Sequence, residues 1–189
     1  MIGTIPNDIR IGIINEELND YTDCHDYVTK NNSIGGELLP DNETYCVYNG
    51  LGCLFIENLG SIIPNKIYYK TEKEAFKAMK DGKFHFLLHF PRNYSESVTI
   101  TRNDEEFDSD EDSNFGIVNI YRDVKDWTIG LVVERELIYT YQRFAGKLAA
   151  DCKSNQHAEK FPIIFKEPIY GKMDGPFFTE FTAPGVILM

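Results

Sequence analysis

The most acidic stretch of the chain has the spacing with which a calcium-binding loop begins. Asp108, Asp110 and Asp112 occupy alternate positions, as the first ligands of an EF-hand loop do. That loop also needs glycine at its sixth position, for a sharp turn, and a bidentate glutamate at its twelfth. Here those positions hold Ser113 and Asn119. The pattern therefore predicts a solvated acidic loop rather than a metal site.

Two histidines four residues apart could be ligands of a catalytic zinc ion. In the HExxH motif they share one face of a helix, and a glutamate follows the first histidine. Here Phe86 follows His85, and the alternating apolar residues of 84–90 predict a largely buried strand. Positions four apart on a strand are separated by about 13 Å. We therefore predict that His85 and His89 are core or interface residues.

No local sequence motif supports catalysis by this chain. It contains neither the Gly-x-Ser-x-Gly elbow of a serine hydrolase nor the glycine-rich loop that cradles phosphates. We therefore predict that the chain is not an enzyme and that it has no catalytic residue, no metal ligand and no cofactor-binding residue of its own.

The chain has four cysteines, Cys24, Cys46, Cys53 and Cys152, and none stands in the CxxC spacing of a zinc knuckle. An even number of cysteines is typical of disulfides in an oxidising compartment. The alternative is four buried thiols. Four cysteines allow three pairings. We favour Cys24–Cys46 with Cys53–Cys152, because the first bond would close a loop that carries glycosylation motifs.

Three Asn-x-Ser/Thr motifs are candidate glycosylation sites, at Asn31, Asn42 and Asn93. Each lies in a polar stretch rich in turn residues, where a glycan could be solvated. Single motifs of this kind also occur by chance. Together with the cysteines, they favour an extracellular location.

The net charge of −11 excludes some classes of partner. Nucleic acid and anionic membrane surfaces need clustered lysine and arginine, and this chain is acidic. Without its densest acidic cluster the charge would be −4, which is ordinary for a domain of this size. That cluster consists of Asp104, Glu105, Glu106, Asp108, Asp110, Glu111 and Asp112.

Apolar spacing predicts an α+β fold, in which a mixed β-sheet packs with helices. Thr71 and Glu74 have the spacing of a capping box, which predicts a helix ending at Asp81-Gly82. One long helix is predicted at about 126–152. Its predicted apolar stripe consists of Trp127, Leu131, Ile138, Tyr141, Ala145 and Leu148, widened by Leu137 and Phe144. Another helix is predicted at 51–62, variable loops at 18–49 and 91–114, and strands at 9–14, 66–70, 84–90, 115–121 and 161–169.

The chain ends on an aromatic and then apolar segment. Aromatic side chains favour the interface between membrane and water. The chain contains no apolar run of about 20 residues and no signal-peptide layout. We therefore expect it to be part of a longer membrane protein. The predicted membrane-proximal residues are Phe177, Phe178, Phe181, Pro184 and Gly185.

Three patches in order carry a resemblance to a known family. An opening strand runs into Asn15-Glu16-Glu17, and a block from Thr71 ends in Pro91-Arg92-Asn93-Tyr94-Ser95. The third patch is Glu167-Pro168-Ile169-Tyr170-Gly171 followed by Phe181-Thr182-Ala183-Pro184-Gly185. They resemble the "VVNEE", "P-x-NFS" and "EPIYG…APG" stretches in the extracellular domain of eukaryotic ABC transporters with an ABC-2 type membrane part. The arthropod subfamily H and its G-like relatives are most similar, and the departures lie in 18–49 and 96–114.

The resemblance implies that 1–189 is a single extracellular domain between two transmembrane helices, at the outer face of the plasma membrane. It implies a non-catalytic part of an ATP-driven exporter that caps or gates the exit path. ATP and Mg²⁺ would be bound by cytoplasmic domains of the parent transporter, and the partner would be a second transporter half. The cargo would be lipid for the cuticular barrier.

Two other functions can be weighed against the same pattern. A secreted, disulfide-bonded glycoprotein that binds a small apolar ligand would explain the cysteines, the glycosylation motifs and the aromatic residues. A hydrolase with a dispersed site has no local sequence support.

Overall fold

The structure is a computed structural model, and it describes most of the chain. The acidic cluster 104–112 and the predicted membrane-proximal residues Phe177, Phe178, Phe181, Pro184 and Gly185 lie outside the described residues. The described residues are 9–18, 24–31, 34–39, 42–59, 63, 65–103, 117–123, 127–152 and 163–166.

Helices and strands are mixed along the described chain. The strands are β1 (Arg10–Asn15), β2 (Gly35–Leu39), β3 (Asn42–Asn49), β4 (Asn65–Tyr68), β5 (Phe86–Phe90), β6 (Val118–Arg122) and β7 (Ile163–Phe165). The helices are α1 (Cys24–Lys30), α2 (Leu51–Asn58), α3 (Glu72–Lys80), α4 (Tyr94–Asn103) and α5 (Trp127–Asp151).

Five strands form one mixed sheet in the order β4-β1-β5-β6-β7. Strand β1 is parallel to both β4 and β5, β6 is antiparallel to β5, and β7 is parallel to β6. Strands β2 and β3 form a separate antiparallel hairpin. The predicted α+β class with a mixed sheet is confirmed. Strand β7 lies at an edge of the sheet.

The sheet is covered on both faces. On one face a large apolar core contains Ile11 and Ile13 of β1 together with residues of α2, α4 and α5. On the other face α3 packs against Ile14, and Gly12 approaches Phe84 so closely that a Cβ atom would lie 2.5 Å from its ring. Burial of β1 on both faces explains its nearly continuous run of isoleucine.

The capping residue of α3 is the predicted one. The hydroxyl of Thr71 accepts a hydrogen bond of 3.3 Å from the backbone amide of Glu74. After the helix, Gly82 has a φ of 73°, a left-handed conformation that glycine adopts without steric cost. Both ends of α3 therefore form where the sequence places them.

Helix α5 is the predicted long helix, and its 25 residues span about 37 Å. Arg122 of β6 holds it to the sheet through a contact of 3.0 Å with Glu134. Leu131 and Ile138 are 51% and 36% exposed, which corrects these two positions of the predicted stripe, whereas Tyr141, Ala145 and Leu148 are buried as predicted. No described helix is both long and apolar enough to cross a membrane. The buried face of α5 contains Val133, Leu137, Tyr141, Phe144 and Leu148.

Both predicted loops contain regular structure, which corrects the interpretation of 18–49 and 91–114. The first contains α1 and the β2–β3 hairpin, and the second contains α4. The sequence pattern does not indicate these elements, because their exposed positions are polar. In addition, the buried positions of α4 include hydroxyl groups and do not form a full apolar face.

The four cysteines form two disulfides, but the pairing favoured from the sequence is wrong. The bonds are Cys24–Cys53 and Cys46–Cys152, with Cα atoms 4.9 and 5.8 Å apart. The first joins α1 to α2, which pack together, and the second joins β3 to the end of α5. Because 18–49 folds as a helix and a hairpin, Cys24 and Cys46 face different partners. Gly36 lies over the second bond, where a Cβ atom would overlap the sulfur of Cys152.

We predict that the Cys46–Cys152 bond contributes more stability than the Cys24–Cys53 bond. The two bonds close sequence separations of 106 and 29 residues. Chain entropy alone then gives about 4.8 and about 3.6 kcal/mol. Urea unfolding of the variants C46A/C152A and C24A/C53A would measure the difference. Non-reducing peptide mapping of the unmutated chain is the control, and recovery of a Cys24–Cys46 peptide would contradict the structure.

Candidate functional site

The turn after β1 brings a carboxylate to the N-terminal ends of two helices. One oxygen of Glu17 accepts a hydrogen bond of 2.6 Å from the backbone amide of Ser95, and the other accepts one of 2.8 Å from Gly52. Ser95 and Gly52 are the second residues of α4 and α2. The first amides of a helix have no partner inside the helix and carry partial positive charge. A single side chain therefore satisfies two helix N-termini.

Helix α2 depends on this arrangement because it has no capping side chain of its own. Its N-cap residue is Gly50, with a φ of 62°. The amide of Leu51 donates to the hydroxyl of Ser95 at 2.9 Å, and the amide of Gly52 donates to Glu17. The residues that cap α2 are thus distant from it in sequence.

Glycine at position 52 leaves room for the carboxylate. A Cβ atom there would lie 2.6 Å from the nearer oxygen of Glu17. The turn itself is fixed by Asn15, whose side-chain oxygen accepts a bond of 3.1 Å from the amide of Glu17. The side-chain amide of Asn15 also contacts the sulfur atoms of Cys24 and Cys53, at 3.6 and 3.4 Å.

Polar side chains of helix α4 also form hydrogen bonds with the backbone of strand β3. Ser95, Thr99 and Asn103 are four residues apart and therefore share one helix face. The Thr99 hydroxyl accepts from the amide of Tyr48 at 3.0 Å, and the Asn103 side chain accepts from the amide of Cys46 at 3.0 Å. Side chains of α4 thus satisfy the edge of β3 that does not face β2.

A cavity of about 430 Å³ opens beside Glu17. Tyr27 of α1 and Tyr45 of β3 line it. Arg92 and Glu96 also line it, and both are exposed to solvent. The cavity therefore combines aromatic walls with charged groups.

Burial raises the pKa of Glu17 above its ordinary value of 4.5, and the hydrogen bonds from Ser95 and Gly52 oppose part of that increase. Because the pKa of Glu17 is higher in the folded than in the unfolded chain, ionisation of this carboxyl group lowers the free energy of unfolding. That loss is absent below pH 4.5, where the group is largely protonated in both states. The two helix N-termini limit that cost by partly neutralising the carboxylate.

His85 and His89, which were predicted to be core or interface residues, make different contacts. His89 lies on β5, and its ring nitrogens are 3.2 and 3.0 Å from carboxylate oxygens of Glu16 and Glu72. These are ion-pair distances, although the angles are not those of hydrogen bonds. His85 joins the sheet through its backbone, to Arg10 and Asp123. Within the described residues, no three His, Cys, Asp or Glu side chains are grouped to hold a metal ion.

Two of the three predicted glycosylation sites have described side chains. Asn31 is exposed at the end of α1, and its side chain donates to the carbonyl of Tyr27 at 2.9 Å. Asn93 directly precedes α4 and lines the cavity. Asn42 begins β3. The serine of the Asn93 motif is Ser95, which is buried at the capping contact.

Glu17 was not predicted as a site residue by itself. It was noted only as the last residue of the Asn15-Glu16-Glu17 patch. Nothing in its local spacing identifies its partners, because Gly52 and Ser95 lie 35 and 78 positions away. The one sequence feature that points to this contact is that Glu17 and Ser95 both lie in patches that resemble the extracellular domain of ABC-2 type transporters.

Comparison with known proteins identifies a transporter relative. No protein-family model matches the chain. Over 163 residues it is 26% identical to ABC transporter G family member 20 of Dictyostelium discoideum, an alignment that covers 83% of this chain and 20% of the relative. The chain is homologous to part of an ABC transporter. It spans about a fifth of the length of that curated relative.

A solved structure is also similar. It is the crystal structure of a domain assigned to an ABC type-2 transporter from Thermotoga maritima MSB8. The two chains superpose with a TM-score of 0.49 at 14% sequence identity, and 95% of this chain and 98% of that chain are covered.

We predict that Glu17→Gln destabilises the fold by about 1–3 kcal/mol, because its new NH₂ group must face one of the two helix amides. The matched control is Glu16→Gln. Glu16 is exposed and its carboxylate lies at ion-pair distance from His89, so the cost should stay below about 1 kcal/mol. Urea denaturation followed by circular dichroism measures both. Equal losses in the two variants would contradict the capping role of Glu17.

Proposed function

We propose that this chain is the extracellular, non-catalytic domain of an ATP-driven ABC exporter with an ABC-2 type membrane part. The observation that carries the proposal is the homology to an ABC transporter of the G family. Because the alignment covers most of this chain and a fifth of the relative, the relative has ample length for membrane and ATP-binding parts elsewhere. In this proposal, 1–189 is a single domain between two transmembrane helices.

The two disulfides support the proposed compartment. Disulfides persist in oxidising environments and are rare in the cytosol. All four cysteines are paired in the structure, and Cys46–Cys152 joins parts of the chain that are distant in sequence. An extracellular face of the plasma membrane therefore suits the chain, and Asn31, Asn42 and Asn93 would be available to glycosylation there.

The proposed role is to cap or gate the exit path. Helix α5 is fixed at one end to β3 by Cys46–Cys152 and along its length to β6 by the Arg122–Glu134 pair. A movement imposed on α5 would therefore reach the hairpin and the sheet together. ATP and Mg²⁺ would act in cytoplasmic domains of the full-length protein, its partner would be a second transporter half, and its cargo would be lipid.

The proposed location predicts surface labelling of intact cells. A short epitope inserted at Gly82 of the full-length protein should be tolerated, because nothing lies within 4 Å of a Cβ atom there. An impermeant antibody should label intact cells. The control is an epitope in the ATP-binding domain, which should be labelled only after permeabilisation. Labelling of the Gly82 epitope only after permeabilisation would refute the extracellular location.

The proposed role also predicts that export requires the domain. In the full-length transporter, residues 18–160 are replaced by a short flexible linker, and release of radiolabelled lipid to an acceptor is measured per molecule at the cell surface. We expect loss of export with ATP hydrolysis retained. A variant inactive in ATP hydrolysis sets the background. Normal lipid export by the shortened transporter would refute the proposed role.

A further inference from the structure

We infer that the cavity beside Glu17 binds an organic ammonium group, of the quaternary kind found in choline. The juxtaposition that carries the inference is a half-buried carboxylate among the lining residues of a cavity that is also lined by tyrosine residues. The inference rests on these residues and does not require the chain to belong to a transporter.

The size and the wall of the cavity suit a small ligand. Its volume of about 430 Å³ is within the usual range for ligand pockets. Tyr45, Val47 and Asn49 alternate along β3, share one of its faces and line the cavity, and the buried Tyr48 also lines it. Tyr27 of α1 adds a further aromatic residue, which is half-buried like Tyr45.

The tyrosines supply the favourable contact for a cation. The face of an aromatic ring attracts a positive group, and quaternary ammonium ligands are commonly held in this way. The ring of Tyr27 packs against Gly50, where a Cβ atom would lie 2.9 Å from it. Gly50 also has a positive φ, so both the backbone and the space at this position favour glycine.

The charges at the cavity favour a cation over an anion. Its charged lining residues, among those described, are Glu17, Glu96 and Arg92, with a net charge of −1 when all are ionised. The helix amides that would attract an anion already donate to Glu17 and to the hydroxyl of Ser95. An anion would have to displace a carboxylate, whereas a cation would be attracted to it.

Arg92 indicates a second chemical group that the ligand could carry beside its ammonium group. It is exposed at the rim and is the only cation among the described lining residues. Guanidinium groups pair well with phosphate. A phosphocholine group would place its ammonium end among the tyrosines and its phosphate at the rim. Such a group exists both as a free solute and as the headgroup of a lipid.

The first experiment compares choline with its neutral isostere, 3,3-dimethylbutan-1-ol, by nuclear magnetic resonance titration of the ¹⁵N-labelled chain. Choline should bind in the millimolar range and shift the amide signals of Gly52 and Ser95. The isostere should bind about tenfold more weakly, because it lacks the charge. Equal binding of the two, or no saturable shift with choline, would overturn the inference. Saturable binding of inorganic phosphate alone at the same amides would also overturn it.

Variants at the wall provide a second test that does not disturb the capping contact. Tyr27→Leu and Tyr45→Leu should each raise the dissociation constant of choline about fivefold or more. Tyr139→Leu is the control, because Tyr139 is 51% exposed on α5 and does not line the cavity. Far-ultraviolet circular dichroism confirms that each variant is folded. Unchanged choline binding in both folded wall variants would refute the site.

Vesicle binding distinguishes the two sources of the ligand. The chain is mixed with phosphatidylcholine vesicles or with phosphatidylglycerol vesicles and separated by flotation. If the chain floats with phosphatidylcholine vesicles and free phosphocholine suppresses this flotation, the site binds a lipid headgroup. Saturable phosphocholine binding without flotation would assign it to a solute. Preference for phosphatidylglycerol would overturn the inference, because that lipid has no ammonium group.

Discussion

The carboxylate of Glu17 is the constraint on which this fold most depends. It satisfies the second amide of both α2 and α4, and α2 has no capping side chain of its own. Burial makes the charge costly, and the two helix N-termini offset that cost. The Glu17 carboxylate therefore holds together the turn after β1 and the first turns of α2 and α4. The cavity forms beside this contact because the three elements converge there.

Away from Glu17, the contact between α4 and the hairpin is made largely by hydrogen bonds. Thr99 and Asn103 satisfy amides of β3 that would otherwise be an unpaired strand edge. The Asn103 side chain also donates to the carbonyl of Cys46 at 2.7 Å, beside the disulfide to Cys152. A polar helix face thus protects a strand edge, and a covalent bond links the same strand to α5.

The sequence predicted elements whose signals are local. The long helix follows from its 3.6-residue spacing, and α3 follows from the Thr71 cap and Gly82. Helix α4 was missed because its inward positions include, besides Tyr94 and Val98, hydroxyl and amide side chains whose partners lie about 50 residues away. The disulfide pairing was missed for the same reason. Both depend on which elements become neighbours in space, and local patterns carry no information about that.

Two of the patches that resemble ABC-2 transporter domains meet at the capping contact. Asn15-Glu16-Glu17 supplies the carboxylate, and Asn93-Tyr94-Ser95 supplies the amide and the hydroxyl. This part of the resemblance therefore coincides with a structural requirement, the satisfaction of helix N-terminal amides. The segment 18–49, where the chain departs from the family pattern, supplies Tyr27 and Tyr45 to the cavity wall. The capping contact and the tyrosine side chains of the cavity are therefore supplied by different segments of the chain.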